Sequence, residues 1–284
     1  MIKYKKVNIN TKKITYNKYE NDIKNKYDKN KDDFISINEY LDDEISLGPK
    51  EKEGKIDYDY QNYENIYNYF FLIKLNEMKK YKILCIPKFK ITFKDNYITR
   101  TSIIIDIYNN TFIIPSNFKD LINKCKNNNN NILIYISCII YFHNSKTLSH
   151  ANMLIINIKK KTLERFEPYG CIKENKKVDK IINKIIDDIE LNNYKYLKPY
   201  HLSPYLGIQH KSDSYSGMCI TISMLYLQLR ILNINKSQKK IIRYLLNKNE
   251  IEMKNIILRF AKYIQKKLNK YHIKVKNLNK LLYN

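Results

Sequence analysis

Val178, Ile181, Ile182, Ile185, Ile186 and Ile189 recur at the i, i+3, i+4, i+7 spacing, which predicts an amphipathic helix over 176–191. Met218, Ile222, Leu225, Leu229 and Leu232 repeat the pattern and predict a helix over 217–233. Two basic helices are expected after it, over 237–247 and 251–270, the second with Ile256, Ile257, Phe260 and Ile264 on its inner face and Lys254, Lys262, Lys266 and Lys267 largely elsewhere. Shorter apolar runs upstream read as strands: 81–86, 90–93, 103–107, 111–114, 132–142, 150–158 and 162–167. The near-continuous apolar character of 153–158 suggests a central strand. Between them, 117–127 reads as a short helix and 194–206, with Pro199 and Pro204, as a loop. Residues 59–80 read as a helix with aromatics on its inner face, and 1–58 lack any long apolar period. Strands followed by helices, without a βαβ rhythm, predict an α+β fold over 59–284 preceded by an accessory segment, 1–58.

Composition narrows the class. The 284 residues are 44% hydrophobic and include only 5 Gly and 6 Pro, which excludes collagen-like and linker classes and argues against wholesale disorder. The formal net charge is +24, carried almost wholly by Lys. An AT-rich coding bias would enrich Lys, Asn, Ile and Tyr together, so this charge is a weaker sign of nucleic-acid binding than clustered Arg would be. Nucleic acid stays an expected partner through the basic surface. The five cysteines are odd in number and form no C-x-x-C pair, which fits a reduced, cytoplasmic or virion setting rather than secretion. The first residues lack the apolar stretch of a signal peptide, and Ile132–Phe142 is too short to span a bilayer, so no membrane role is expected.

Three of the five glycines fall close together, each beside a reactive side chain: Gly170 in FEPYG, Gly207 in SPYLGIQ and Gly217 in YSGMC. Cys219 opens a predicted helix two residues after Gly217, where unpaired backbone N–H groups favour a thiolate. A thiolate that attacks carbonyl carbon needs a base held by a third group. His150 starts the most apolar strand, and Glu167 ends the strand that returns from it, so a hairpin brings base and carboxylate together. Glu164, nearer the turn, is expected to face solvent. Gln209, ten residues before Cys219, would supply a side-chain amide to a developing oxyanion.

The order His150, Glu167, Gln209, Cys219 resembles that of the ubiquitin-like-protein (SUMO-type) proteases and the adenovirus protease, adenain. The match rests on His150-Ala151-Asn152, on Arg165 to Gly170 (RFEPYG), on Pro204 to Gln209, on Gly217 to Cys219, and on Arg230. It is also similar to proteases of this class in large DNA viruses. Ala151 stands where cellular members carry Trp. The resemblance covers about 81–235. It implies a papain-like, permuted cysteine protease core with a central mixed sheet flanked by helices. It further implies His150 as general base, Glu167 as its orienter, Gln209 in the oxyanion hole and Cys219 as nucleophile. The implied reaction is hydrolysis of peptide or isopeptide bonds, often after Gly, in a protein or polyprotein substrate such as a ubiquitin-like one. No cofactor is required for that chemistry.

A second pattern lies at 28–39. Asp28, Asn30, Asp32, Phe34 (through its carbonyl), Ser36 and Glu39 resemble the ligand places of an EF-hand Ca2+ loop, with Asp33 where that loop wants Gly. Two rivals to the hydrolase therefore stand beside it: a catalytically idle basic module that binds nucleic acid or an acidic protein, and a calcium-dependent interaction protein.

Overall fold

In this computed structural model the residues described are 34, 36–41, 83–87, 89–93, 96–100, 102–128, 131–142, 149–172, 174–212 and 218–275. The chain divides between Phe34 and Ile35, and the architecture below is that of the part from Ile35 onward. The expected helix over 59–80 and the boundary at 58 lie outside the described residues.

In chain order the elements are α1 (Ile37–Tyr40), β1 (Leu84–Cys85), β2 (Phe89–Phe93), β3 (Asn96–Arg100), β4 (Ser102–Asp106), β5 (Thr111–Ile113), α2 (Phe118–Lys126), β6 (Leu133–Tyr141), β7 (Ser149–Asn157), β8 (Thr162–Phe166), α3 (Asn175–Asp188), β9 (Lys195–Leu197), α4 (Pro199–Leu202), α5 (Ile208–Lys211), α6 (Cys219–Leu232), α7 (Gln238–Leu246) and α8 (Glu250–Val275). The sheet runs β5-β4-β6-β7-β8-β9, with β1 also beside β6, while β2 and β3 form a separate antiparallel pair. β6 pairs in parallel with β1 and β4 and antiparallel with β7, and β8 pairs in parallel with β9, so the sheet is mixed and the fold is α+β.

The apolar runs explain the centre of this order. β6 is buried along almost its whole length, as a strand covered on both faces must be. On one face Ile103, Ile105, Ile134, Ile136, Leu154 and Ile156 pack with Phe118 and Ile122 of α2 and with Ile181, Ile182 and Ile185 of α3. The other face of β7 and β8 takes α6, where Phe166 stacks on Tyr226 with ring centroids 4.0 Å apart. α7 and α8 pack behind α6. Because α6 lies between the sheet and these helices, it is apolar on every side and nearly all its residues are buried. α1 adds Ile37 and Leu41 to the core, held by a bond from Ile37 N to the Tyr244 hydroxyl and by Arg259 on the Asn38 amide oxygen.

Four expectations need correction. Glu164 does not face solvent: it is 1% exposed and accepts from Arg230 Nε at 2.8 Å, because α6 covers the strand right up to the turn. Lys254 is buried, its ammonium on Glu250 one helical turn away at 2.6 Å. The region 194–206 is not simply a loop; it carries β9 and α4. Cys85 and Cys125, expected as thiols, form a disulfide that ties β1 to α2, their Cα atoms 5.7 Å apart and so within bridging range. Among the described residues no helix is long and apolar enough to cross a membrane.

The Glu164–Arg230 pair sits between sheet and helix, with each side chain 1% exposed. Removing one partner leaves the other charge buried alone. Arg230→Met is expected to cost about 3–5 kcal/mol in urea unfolding, and the double change with Glu164→Leu to recover most of it. Equal stabilities for the parent and the single variant would contradict this arrangement.

Candidate active site

The hairpin β7–β8 sets the geometry. Met153 pairs with Phe166, and the same register carried one step on puts Glu167 across from Asn152. His150 lies two residues further along β7, on the same face as Asn152 and beyond the end of β8. β6 pairs with it on one side; on the β8 side no strand among the described residues covers it, and the first turn of α6 lies there. Cys219 is the first residue of that helix. Ala151 N donates to Cys219 Sγ at 3.5 Å, so the strand itself touches the sulfur.

Three of the four residues singled out in the sequence are brought into contact. His150 Nε2 lies 2.5 Å from Glu167 Oε1, with the two side chains 7% and 1% exposed. His150 also hydrogen-bonds the Cys219 side chain. Glu167 is saturated with donors: Tyr169 N reaches Oε1 at 2.9 Å, and Asn152 Nδ2 reaches Oε2 at 2.8 Å. Tyr169 also lays its ring against the imidazole, centroids 4.9 Å apart, and Phe142 approaches from further off at 6.1 Å.

Burial and charge pull against each other in this cluster. Burial alone would depress the His150 pKa, but the Glu167 charge and the hydrogen bonds to Cys219 and Glu167 outweigh it and lift the value to about 10. Burial would raise the Cys219 thiol. The hydrogen bond from His150, its charge and the Ala151 N–H reverse this and bring it below 9.0. Burial would also raise Glu167, yet His150, Arg165 and the Tyr169 N–H hold it below the ordinary carboxylate value. The arrangement therefore favours a thiolate facing an imidazolium.

Gln209 is 1% exposed on α5, which packs against α6. Its Oε1 finds no hydrogen-bond partner among the described residues. The segment that carries it is stitched to the one that carries Glu167. Gly207 N donates to Tyr169 O at 2.8 Å, Gln209 N to Pro168 O at 2.9 Å and Cys171 N to Pro204 O at 2.9 Å. Gly170, at φ +90°, and Gly207 meet at the centre of this seam, where a Cβ on Gly170 would lie 2.5 Å from Gly207 N. Gly217 lies outside the described residues.

Two buried residues matter here to which the sequence reading gave no role. Asn152 bridges to Glu167, and Arg165, wholly buried, donates from Nη1 to Asn152 Oδ1 at 2.7 Å. Both were visible as letters of the H-A-N and R-F-E-P stretches, but nothing in a Lys-rich sequence marks one Arg as interior. His201 Nδ1 accepts from Lys198 N at 3.0 Å, and the exposed His210 meets Tyr169 edge-on. Of the EF-hand-like places, Asp28, Asn30 and Asp32 lie outside the described residues. Glu39 falls in α1, which starts at the tenth place of that loop. Among the described residues no group of three or more His, Cys, Asp or Glu could hold a metal ion.

No family model matches the chain. An ankyrin repeat protein of Acanthamoeba polyphaga mimivirus is 27% identical over 162 residues, which is 48% of this chain; the chain spans about a fifth of that relative's length. Among solved structures, the Chlamydia trachomatis effector protein ChlaDUB1 aligns over 54% of this chain and 64% of its own, at 12% identity and a TM-score of 0.34. That score is too low to read a common fold from.

The glycine seam makes its own prediction. A Cβ on Gly207 would drive into the backbone at Pro168, Tyr169 and Gly170, none of which can yield without moving Glu167. Gly207→Ala is expected to cost about 3 kcal/mol in urea unfolding. A variant as stable as the parent would show that the two segments do not meet.

Proposed function

We propose that the chain is a thiol-dependent hydrolase of peptide or isopeptide bonds. The observation that carries this reading is a single histidine held by a buried carboxylate and a cysteine at a helix start, with Nε2 2.5 Å from Glu167 and the side chain hydrogen-bonded to Cys219.

Each group then has one task. The Cys219 thiolate attacks the scissile carbonyl carbon. Negative charge passes to the carbonyl oxygen, which the Gln209 amide and the Cys219 backbone N–H receive. The His150 imidazolium gives its proton to the leaving amine, and the acyl group stays on sulfur as a thioester. Water attacks that thioester, His150 takes a proton from it, and Cys219 leaves as thiolate. Glu167 keeps the imidazole turned and stabilises its charged form. The sequence order of these residues, similar to that of the ubiquitin-like-protein and adenovirus proteases, supports a protein substrate. A segment ending in Gly is the first candidate for the acyl side.

Cys219→Ala is expected to remove turnover of a Gly-ending peptide or ubiquitin-like substrate by at least about 10³-fold while leaving the fold intact. The parent should form a stoichiometric adduct on Cys219 with an electrophile built on such an acyl group, and Cys138 and Cys171 should not. Near-parental turnover in the alanine variant would end the proposal.

The pH profile follows from the two directions of shift. The thiolate–imidazolium pair forms as pH rises through the depressed Cys219 value and is lost as it passes the His150 value of about 10. Glu167→Gln should trim this plateau on its alkaline side, because an amide can accept the imidazole N–H but does not stabilise imidazolium. Its loss of rate should stay well below that of His150→Ala. Equal and total loss in two folded variants would contradict the roles assigned here.

A further inference from the structure

We propose that Arg165 is a positioning residue of the site: through Asn152 it holds the Glu167 carboxylate ionised and turned toward His150. The inference rests on the hydrolase reading above but concerns a residue that does not touch the nucleophile.

Arg165 is 0% exposed, and every nitrogen of its guanidinium is engaged. Nη1 donates to Asn152 Oδ1 at 2.7 Å and lies 3.8 Å from Glu167 Oε2. Nη2 donates to Asn175 Oδ1 at 2.7 Å and to Asp179 Oδ1 at 3.0 Å. Nε lies 3.2 Å from both Asp179 Oδ1 and the Tyr196 hydroxyl, and that hydroxyl in turn donates to Asp179 at 2.6 Å. A planar, five-donor cation is the one side chain that can satisfy groups in so many directions at once.

Two chains of contact leave this guanidinium toward the site. One is the amide of Asn152, whose oxygen accepts from Arg165 while its nitrogen donates to Glu167 Oε2 at 2.8 Å. That bond fixes which way the Asn152 amide is turned, and so presents its N–H groups to the carboxylate. The other is Asn175, which accepts from Arg165 and donates from Nδ2 to Gly170 O at 2.9 Å, at the seam that carries Gln209.

The charges alternate across the sheet: Asp179 on α3, Arg165 on β8, Glu167 after β8, His150 on β7 and Cys219 on α6, with the Tyr196 hydroxyl on β9 at the outer end. Glu167 lies between two cations. Without Arg165 it would be a buried carboxylate facing one cation that is itself shared with a thiolate, and protonation of Glu167 would become the cheaper state. His150 would then lose the charge that keeps it protonated, and the Cys219 thiol would rise toward its ordinary value.

The test reads Cys219 ionisation and needs no substrate. The rate of Cys219 alkylation by iodoacetamide is followed against pH in the full chain, with the labelled residue identified by peptide mass. The variants are Asn152→Ala, which cuts the relay and leaves both charges, and Arg165→Lys, which keeps a charge but cannot reach Asn152, Asn175 and Asp179 together. Near-ultraviolet circular dichroism confirms the fold, and if Arg165→Lys does not fold, Asn152→Ala decides alone. The expected result is a rise of the alkylation midpoint, giving about a tenfold slower reaction on the acid side of the profile, one unit of pKa being one decade of thiolate. A folded Asn152→Ala with the parental midpoint overturns the proposal. A parent whose own Cys219 titrates as an ordinary thiol would overturn the hydrolase reading itself, an outcome separate from the first.

Discussion

A carboxylate sealed from water is stable only beside positive charge and hydrogen-bond donors, and the site depends on how Glu167 meets that requirement. At 1% exposure it accepts from an imidazole, a side-chain amide and a backbone N–H, with a guanidinium behind. The imidazole and the amide come from β7, and the backbone N–H from the turn that follows β8. Once Glu167 is ionised there, the His150 ring is held by one nitrogen and its charged form is favoured. The Cys219 sulfur, buried and otherwise reluctant to ionise, then has a cation to face.

The fold produces this by an offset. β7 is longer than β8, and the overhang leaves His150 on a covered strand with its far side open to the start of α6. α6 can end there only because it is pinned along its length, by the stack of Tyr226 on Phe166 and by Arg230 on Glu164. The first pin is apolar area. The second is a buried ion pair, which adds little net stability but penalises any slide of the helix that would part the charges. The glycine seam does the corresponding work for Gln209, using backbone bonds between two loops that approach too closely for side chains.

What was legible in the sequence was whatever repeats or clusters. The isoleucine spacing of α3 and the apolar run of β6 mark their elements because burial on one face or two imposes a period. The hairpin and the glycine-flanked segments put His150, Glu167 and Cys219 on a short list, since chemistry needs those side chains at chain reversals and helix starts. β9, α4 and α5 are three or four residues long and carry no period, so a loop was the natural reading of the first two. Glu164 misled because closeness to a turn suggests solvent, whereas a helix packed over that turn removes it. The Cys85–Cys125 disulfide joins residues 40 apart in a strand and a helix, a pairing that only the three-dimensional arrangement supplies. Arg165 was the least legible: among 52 basic residues nothing local marks it as buried.

The central claim is that Cys219 and His150 face each other as thiolate and imidazolium. The most direct measurement is the ultraviolet absorbance of the thiolate across a pH titration, taken as the difference between the parent chain and Cys219→Ala. The account predicts thiolate absorbance that appears below the ordinary cysteine value of 9.0 and a change in that signal as His150 loses its proton near about 10. A single step at the ordinary thiol value, unaltered in His150→Ala, would contradict it.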